Sequence, residues 1–116
     1  ALSNGTVITD GLVSARIFSG GITLTGATSN TFQQDTNTTY LALYNVSGAG
    51  NLIKTGLGQL NLETANTYTG NTTINSVSAL FTTNNTGFGV GGTVTANAGG
   101  SIGIWNALTI ANPIVL

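Results

Sequence analysis

Apolar and polar residues alternate along this chain in short runs, among them "TVIT" at 6–9, "ITLT" at 22–25, "YLALY" at 40–44, "QLNL" at 59–62 and "PIVL" at 113–116. Runs of this kind, rich in Val, Ile, Leu and Thr and bounded by Gly or Asn, predict strands. No segment carries a sustained helical stripe, so the expected class is all-β.

A longer period lies over the short one. Turn residues precede an apolar strand at Gly11, Asn30, Gly50, Gly70, Gly92 and Pro113, in steps of 19, 20, 20, 22 and 21. A second series, Ile22, Leu41, Leu60, Leu80 and Ile102, advances by 19, 19, 20 and 22. Self-similarity in this range marks a stacked architecture, in which one unit cannot bury its own apolar face and the next covers it. The prediction is a parallel β-helix (β-solenoid) of about five to six coils of about 20 residues, with Gly and Asn at corners that turn sharply. The expected core stacks Val13, Phe32, Ile53, Ile74, Val94 and Val115 on one wall and Ile22, Leu41, Leu60, Leu80 and Ile102 on another. An antiparallel sandwich of pilin type is the competing arrangement that short strands alone permit.

Length and composition narrow the function. The 116 residues, 41% hydrophobic, suit one domain over 1–116. Arg16, Lys54, Asp10, Asp35 and Glu63 are the only charged side chains and the net charge is −1, so the cation cluster that nucleic acid requires is missing. With no Cys and no His, thiolate chemistry and imidazole catalysis or ligation are excluded, and no cofactor is expected. No apolar run is long enough to span a membrane as a helix, and no basic region followed by an apolar one opens the chain. The opening "ALSNGT" reads either as a processed terminus or as an excision point. Little net charge also means little self-repulsion, which favours self-association.

The stretch "GNLIKTGLGQLNLETANTYTGNTTIN" carries a family resemblance. Gly50, Leu52, Lys54, Gly56, Gly58, Leu60 and Leu62, followed by Asn66, Thr67, Tyr68, Thr69, Gly70, Thr72, Thr73 and Ile74, resemble the autotransporter-associated β-strand repeat, and similarity extends over about residues 48–116. Departures are Thr64-Ala65 in place of Ser-Gly, and Val77 near a position that is usually Gly. The resemblance implies a right-handed parallel β-helix, exported to the cell exterior, forming the stalk or fibre portion of a surface protein. Family members carry many copies and a C-terminal membrane barrel; this chain is then a piece of such a passenger or a small relative that assembles from many copies.

Candidate chemistry is sparse. A lysine beside Thr55 can in principle serve a hydroxyl nucleophile as base, but strand parity with Ile53 inward turns Lys54 outward. Arg16, Asp35 and Lys54 are instead spaced by 19 and 19 residues, which predicts an exposed plus-minus-plus ladder on successive coils, worth about 0.2–1 kcal/mol per pair and unfavourable to register slips. Asp10, Asp35 and Glu63 fall at different phases of the coil, so no carboxyl pair is set about 5–9.5 Å apart for glycoside cleavage, and Glu63 is expected exposed without a partner. A Thr-x-Thr ice-binding row at Thr23 and Thr25 is broken one coil later by Ala42 and Tyr44. Asn4, Asn37, Asn45, Asn71 and Asn84 begin Asn-x-Ser/Thr triplets, candidate glycosylation sites on an exported protein. Tyr40, Tyr44 and Trp105 are read either as rim packing or as a sugar-contacting surface.

The solenoid ends complete the picture, because terminal coils expose unpaired strand edges that a second copy can extend. The expected function is a non-enzymatic structural subunit of an extracellular or cell-surface fibre, its partner being itself, head to tail. The alternative is an adhesin passenger segment that binds glycans or other cells through its lateral surface, without being membrane-embedded.

Overall fold

A computed structural model describes residues 2–3, 5–9, 16–26, 29–35, 40–75 and 77–116, with the backbone alone described at residues 2, 7–9 and 16. These residues form three parallel sheets. The first holds β1 (Leu2–Ser3), β4 (Ile22–Thr25) and β7 (Val46–Gly48). The second stacks β2 (Thr6–Thr9), β5 (Ser29–Gln34), β8 (Asn51–Thr55), β10 (Thr72–Ile74), β12 (Val94–Ala96) and β14 (Ile114–Val115). The third stacks β3 (Arg16–Phe18), β6 (Tyr40–Leu43), β9 (Gln59–Leu62), β11 (Ala79–Thr82) and β13 (Ser101–Ile104). Every strand pairs with the equivalent strand one coil away, as in a parallel β-solenoid.

Register gives the coil length directly. In the second sheet Thr6 lies on Thr31, Asn30 on Leu52, Leu52 on Thr72, Thr72 on Val94 and Val94 on Ile114, steps of 25, 22, 20, 22 and 20. In the third, Arg16, Leu41, Leu60, Leu80 and Ile102 are successive partners, with steps of 25, 19, 20 and 22.

Inside, Leu41, Leu60 and Leu80 are fully buried, and Leu43 and Leu62 form a second column beside them. Ile22 is not part of that wall: it belongs to the first sheet, opposite Val46. The other expected wall is corrected more deeply. The inward columns of the second sheet are Phe32, Lys54, Ile74 and Ala96, and Asn30, Leu52, Thr72 and Val94. Ile53 partners Thr31 and Thr73 on the outer column, and Val115 continues that column half-exposed. A one-residue change of register exchanges the faces of a strand, and at "NLIKT" it places Lys54 inside. Val13 lies outside the described residues.

Glycine is required where coils touch at the corner ahead of the second sheet. A Cβ on Gly70 would sit 2.2 Å from the Gly50 carbonyl oxygen, and one on Gly92 2.0 Å from that of Gly70. Asn112, rather than Pro113, continues this corner: it is buried and its Nδ2 donates to the Gly92 carbonyl at 2.8 Å. Asn30 is likewise no corner but an inward residue of β5, whose Nδ2 donates to the carbonyls of Thr25 and Asn51. Gly11 lies outside the described residues. Val77 takes a φ of 57°, a strained conformation for a β-branched residue.

Candidate functional site

Lys54 is the one cation whose side chain is described, and its placement reverses the expectation of an outward residue. The side chain is fully buried, and Nζ donates to the carbonyls of Thr55 and, at 3.1 Å, Gly56. Desolvation lowers its pKa to about 8, with the Asp35 charge pulling weakly the other way. The Gly56 carbonyl also accepts from Ser78 Oγ at 2.8 Å. The amine therefore bonds to peptide oxygens and to no hydroxyl, so the base-hydroxyl pair required for nucleophilic chemistry is not assembled. No pocket opens among the described residues, and they contain no group of three or more potential acidic metal ligands.

The charge ladder is also corrected. Arg16 lies in the third sheet against Leu41, whereas Lys54 lies in the second against Phe32. Asp35 follows the end of β5, exposed, where Oδ1 accepts from Gln33 Nε2 at 2.7 Å. Equal spacing in sequence does not become stacking, because coil lengths vary from 19 to 25 residues.

Polar and aromatic side chains gather on the outer face of the third sheet. Along β9, Gln59 Nε2 donates to Asn61 Oδ1 at 2.6 Å and Asn61 Nδ2 to Glu63 Oε1 at 3.0 Å. From the next coil, Thr83 Oγ1 donates to Glu63 Oε2 at 3.0 Å; Glu63 is thus half-buried and doubly bonded, not an unpartnered exposed acid. Beside this row, the rings of Phe81 and Trp105 meet edge to face with centroids 5.9 Å apart. Tyr40 and Trp105 are exposed and Tyr44 is half-buried.

The coil at the C-terminal end presents its interior columns to solvent. Ile104, aligned with Thr82 and Leu62, is 43% exposed; Ile114, aligned with Val94, is 41% exposed; and Leu116 is 92% exposed. At the other end Phe18, the register partner of the fully buried Leu43, is itself exposed. Among the candidate glycosylation sites, Asn45 is exposed at φ 54°. The Oδ1 atoms of Asn71 and Asn84 accept backbone N–H groups of Thr93 and Thr86, and Asn4 and Asn37 lie outside the described residues.

Sequence reasoning missed the buried asparagines. Asn66 Oδ1 accepts the Val46 N–H at 2.8 Å and Nδ2 donates to the Gly87 carbonyl at 2.8 Å, tying three consecutive coils together. The only advance signal was Asn recurring at the margins of apolar runs. No family model, no curated protein and no solved structure matches this chain.

Proposed function

We propose that the chain is a non-enzymatic structural subunit of an extracellular or cell-surface fibre, to which further coils add end to end by β-augmentation. The observation that carries this reading is the exposure of Ile104 and Ile114 at positions whose register partners Thr82 and Val94 are buried. An apolar side chain gains roughly 1.5–3 kcal/mol on full burial, so covering this end offsets part of the roughly 4–15 kcal/mol entropic cost of association. The parallel edge strands β13 and β14 set the direction, and head-to-tail contacts between identical chains propagate into an open filament. The resemblance of residues 48–116 to the autotransporter-associated repeat supports an exported, fibre-forming setting.

Electron microscopy and sedimentation of the purified chain test the proposal. The expected result is filaments with an axial repeat near one subunit length, which Ile114→Lys abolishes. A monodisperse monomer at high concentration overturns it.

A further inference from the structure

We infer that the outer face of the third sheet is a binding site for an uncharged polysaccharide chain, formed by the Gln59-Asn61-Glu63 row and the Phe81-Trp105 ring pair. This inference does not depend on end-to-end assembly, since the face is lateral.

The row is pre-organised. Gln59 and Asn61 alternate along β9 and Glu63 follows directly after it, so their side chains repeat on one face at about 6.6 Å, and each is held by its neighbour. Thr83 fixes the second carboxylate oxygen from the coil above. Little side-chain freedom is left to lose on binding, which removes a main cost of recognising a flexible hydroxyl-rich ligand. The bonds within the row leave acceptor lone pairs on the Gln59 and Glu63 oxygens and a second N–H on the Asn61 amide, the complement that sugar hydroxyls require.

The aromatic part is built as deliberately. The Phe81 ring lies across Gly103, where a Cβ would come within 2.1 Å of Cδ1. Glycine thus makes room for the ring in the coil above, and Trp105 stands perpendicular to it with half its surface open. Rings fixed in this way offer apolar faces and edges to the C–H surfaces of a sugar.

Charge selects among saccharides. Glu63 is the one ionised group described on this face, and Lys54, the one cation with a described side chain, is buried on the inside. A polyanion therefore meets a carboxylate with no described cation beside it, whereas a neutral chain meets amide donors, acceptors and rings. No pocket encloses the site, so affinity comes from contacts spread along an extended chain, multiplied where solenoids lie in series.

The experiment is affinity electrophoresis of the whole chain in gels containing hydroxyethylcellulose, galactomannan or polygalacturonate, with a cellohexaose titration read by the emission of Trp105, the sole tryptophan. Expected are retardation by at least one neutral polysaccharide and none by polygalacturonate. Trp105→Ala, and separately Gln59→Ala, should weaken retardation about tenfold while retaining cooperative unfolding; one tenfold step is the worth of a single good contact. Ile114→Lys, which blocks the end, should bind as the wild type does. The assignment is overturned if no neutral polysaccharide retards the chain, if both face variants bind unchanged, if polygalacturonate binds as well, or if Ile114→Lys alone removes binding.

Discussion

Replacing Lys54 by Met should change how stability depends on pH, and the direction follows from burial. In the folded chain Lys54 releases its proton at about pH 8, in the unfolded chain at about 10.5. Below pH 8 both states carry the charge and the folded state bears the full desolvation penalty. Between pH 8 and 10.5 the unfolded chain binds the proton that the folded chain has released, so stability rises with pH through this window. At about 1.4 kcal/mol per pKa unit the ceiling is about 3.4 kcal/mol, and solvent screening of an amine held at a turn reduces it to about 1–3 kcal/mol. Above pH 10 Tyr68 acts in the opposite sense: burial holds its phenol neutral in the folded chain well above the ordinary value, so stability falls once the unfolded phenol ionises. The wild type should therefore be most stable near pH 10. Met fills the column between Phe32 and Ile74 without a charge, so Lys54→Met should lose the rise. Urea titrations followed by Trp105 emission at pH 7, 8, 9 and 10 measure this. With a urea slope of about 1–3 kcal/mol per M, the wild-type midpoint should climb by roughly 1 M while the variant stays level. A variant that climbs equally, or a wild type that weakens between pH 8 and 10, refutes the buried placement.

Other substitutions probe corners and bonds. Gly92→Ala drives a Cβ into the Gly70 carbonyl and should cost about 3 kcal/mol in chemical denaturation, whereas Gly20→Ala, with no atom within 4 Å of the added carbon, should stay within about 0.5 kcal/mol. Val77→Gly relieves a φ of 57° and should raise stability by about 1 kcal/mol; a lower melting temperature would contradict the strain. Asn66→Leu removes an acceptor from the Val46 N–H and a donor from the Gly87 carbonyl and should cost about 2–5 kcal/mol, with faster amide exchange at Val46. Tyr68→Phe loses the 2.6 Å contact with Thr72 Oγ1, costs about 1 kcal/mol at pH 7, and should weaken the fall in stability above pH 10.

The solenoid was legible in the sequence because coils after the first have similar lengths. Leu41, Leu60, Leu80 and Ile102 advance by 19, 20 and 22 residues, and on β9 the alternate positions Gln59 and Asn61 are polar, which fixes the inward set there and, through register, on the neighbouring coils. At "NLIKT" parity is ambiguous, since Leu52 and Ile53 are adjacent and both apolar. Hydropathy favours Ile inside and Lys outside; the fold does the reverse, because the four-carbon stem of Lys54 packs in the column while its amine reaches two turn carbonyls. The charge ladder failed for a related reason, as a mean period says nothing of which sheet a residue occupies when corners differ in length. Val77 is different again: its left-handed φ of 57° is a backbone property on which the hydropathy pattern is silent.

Register between coils rests on polar groups more than on the apolar columns. Leu41, Leu60 and Leu80 are interchangeable, so a slip by one coil would keep the leucine columns filled. Asn66 discriminates, because its amide must meet a carbonyl of one coil and an N–H of another. Asn112 meets the carbonyls of Phe88 and Gly92, and Thr82 Oγ1 that of Leu62. A slipped coil strands such groups in the interior at about 1–3 kcal/mol each, while a correct one satisfies several together. The Asn and Thr content that makes the chain so poor in charge is therefore also what aligns it, and an added coil must match these bonds as well as cover the exposed leucine and isoleucines.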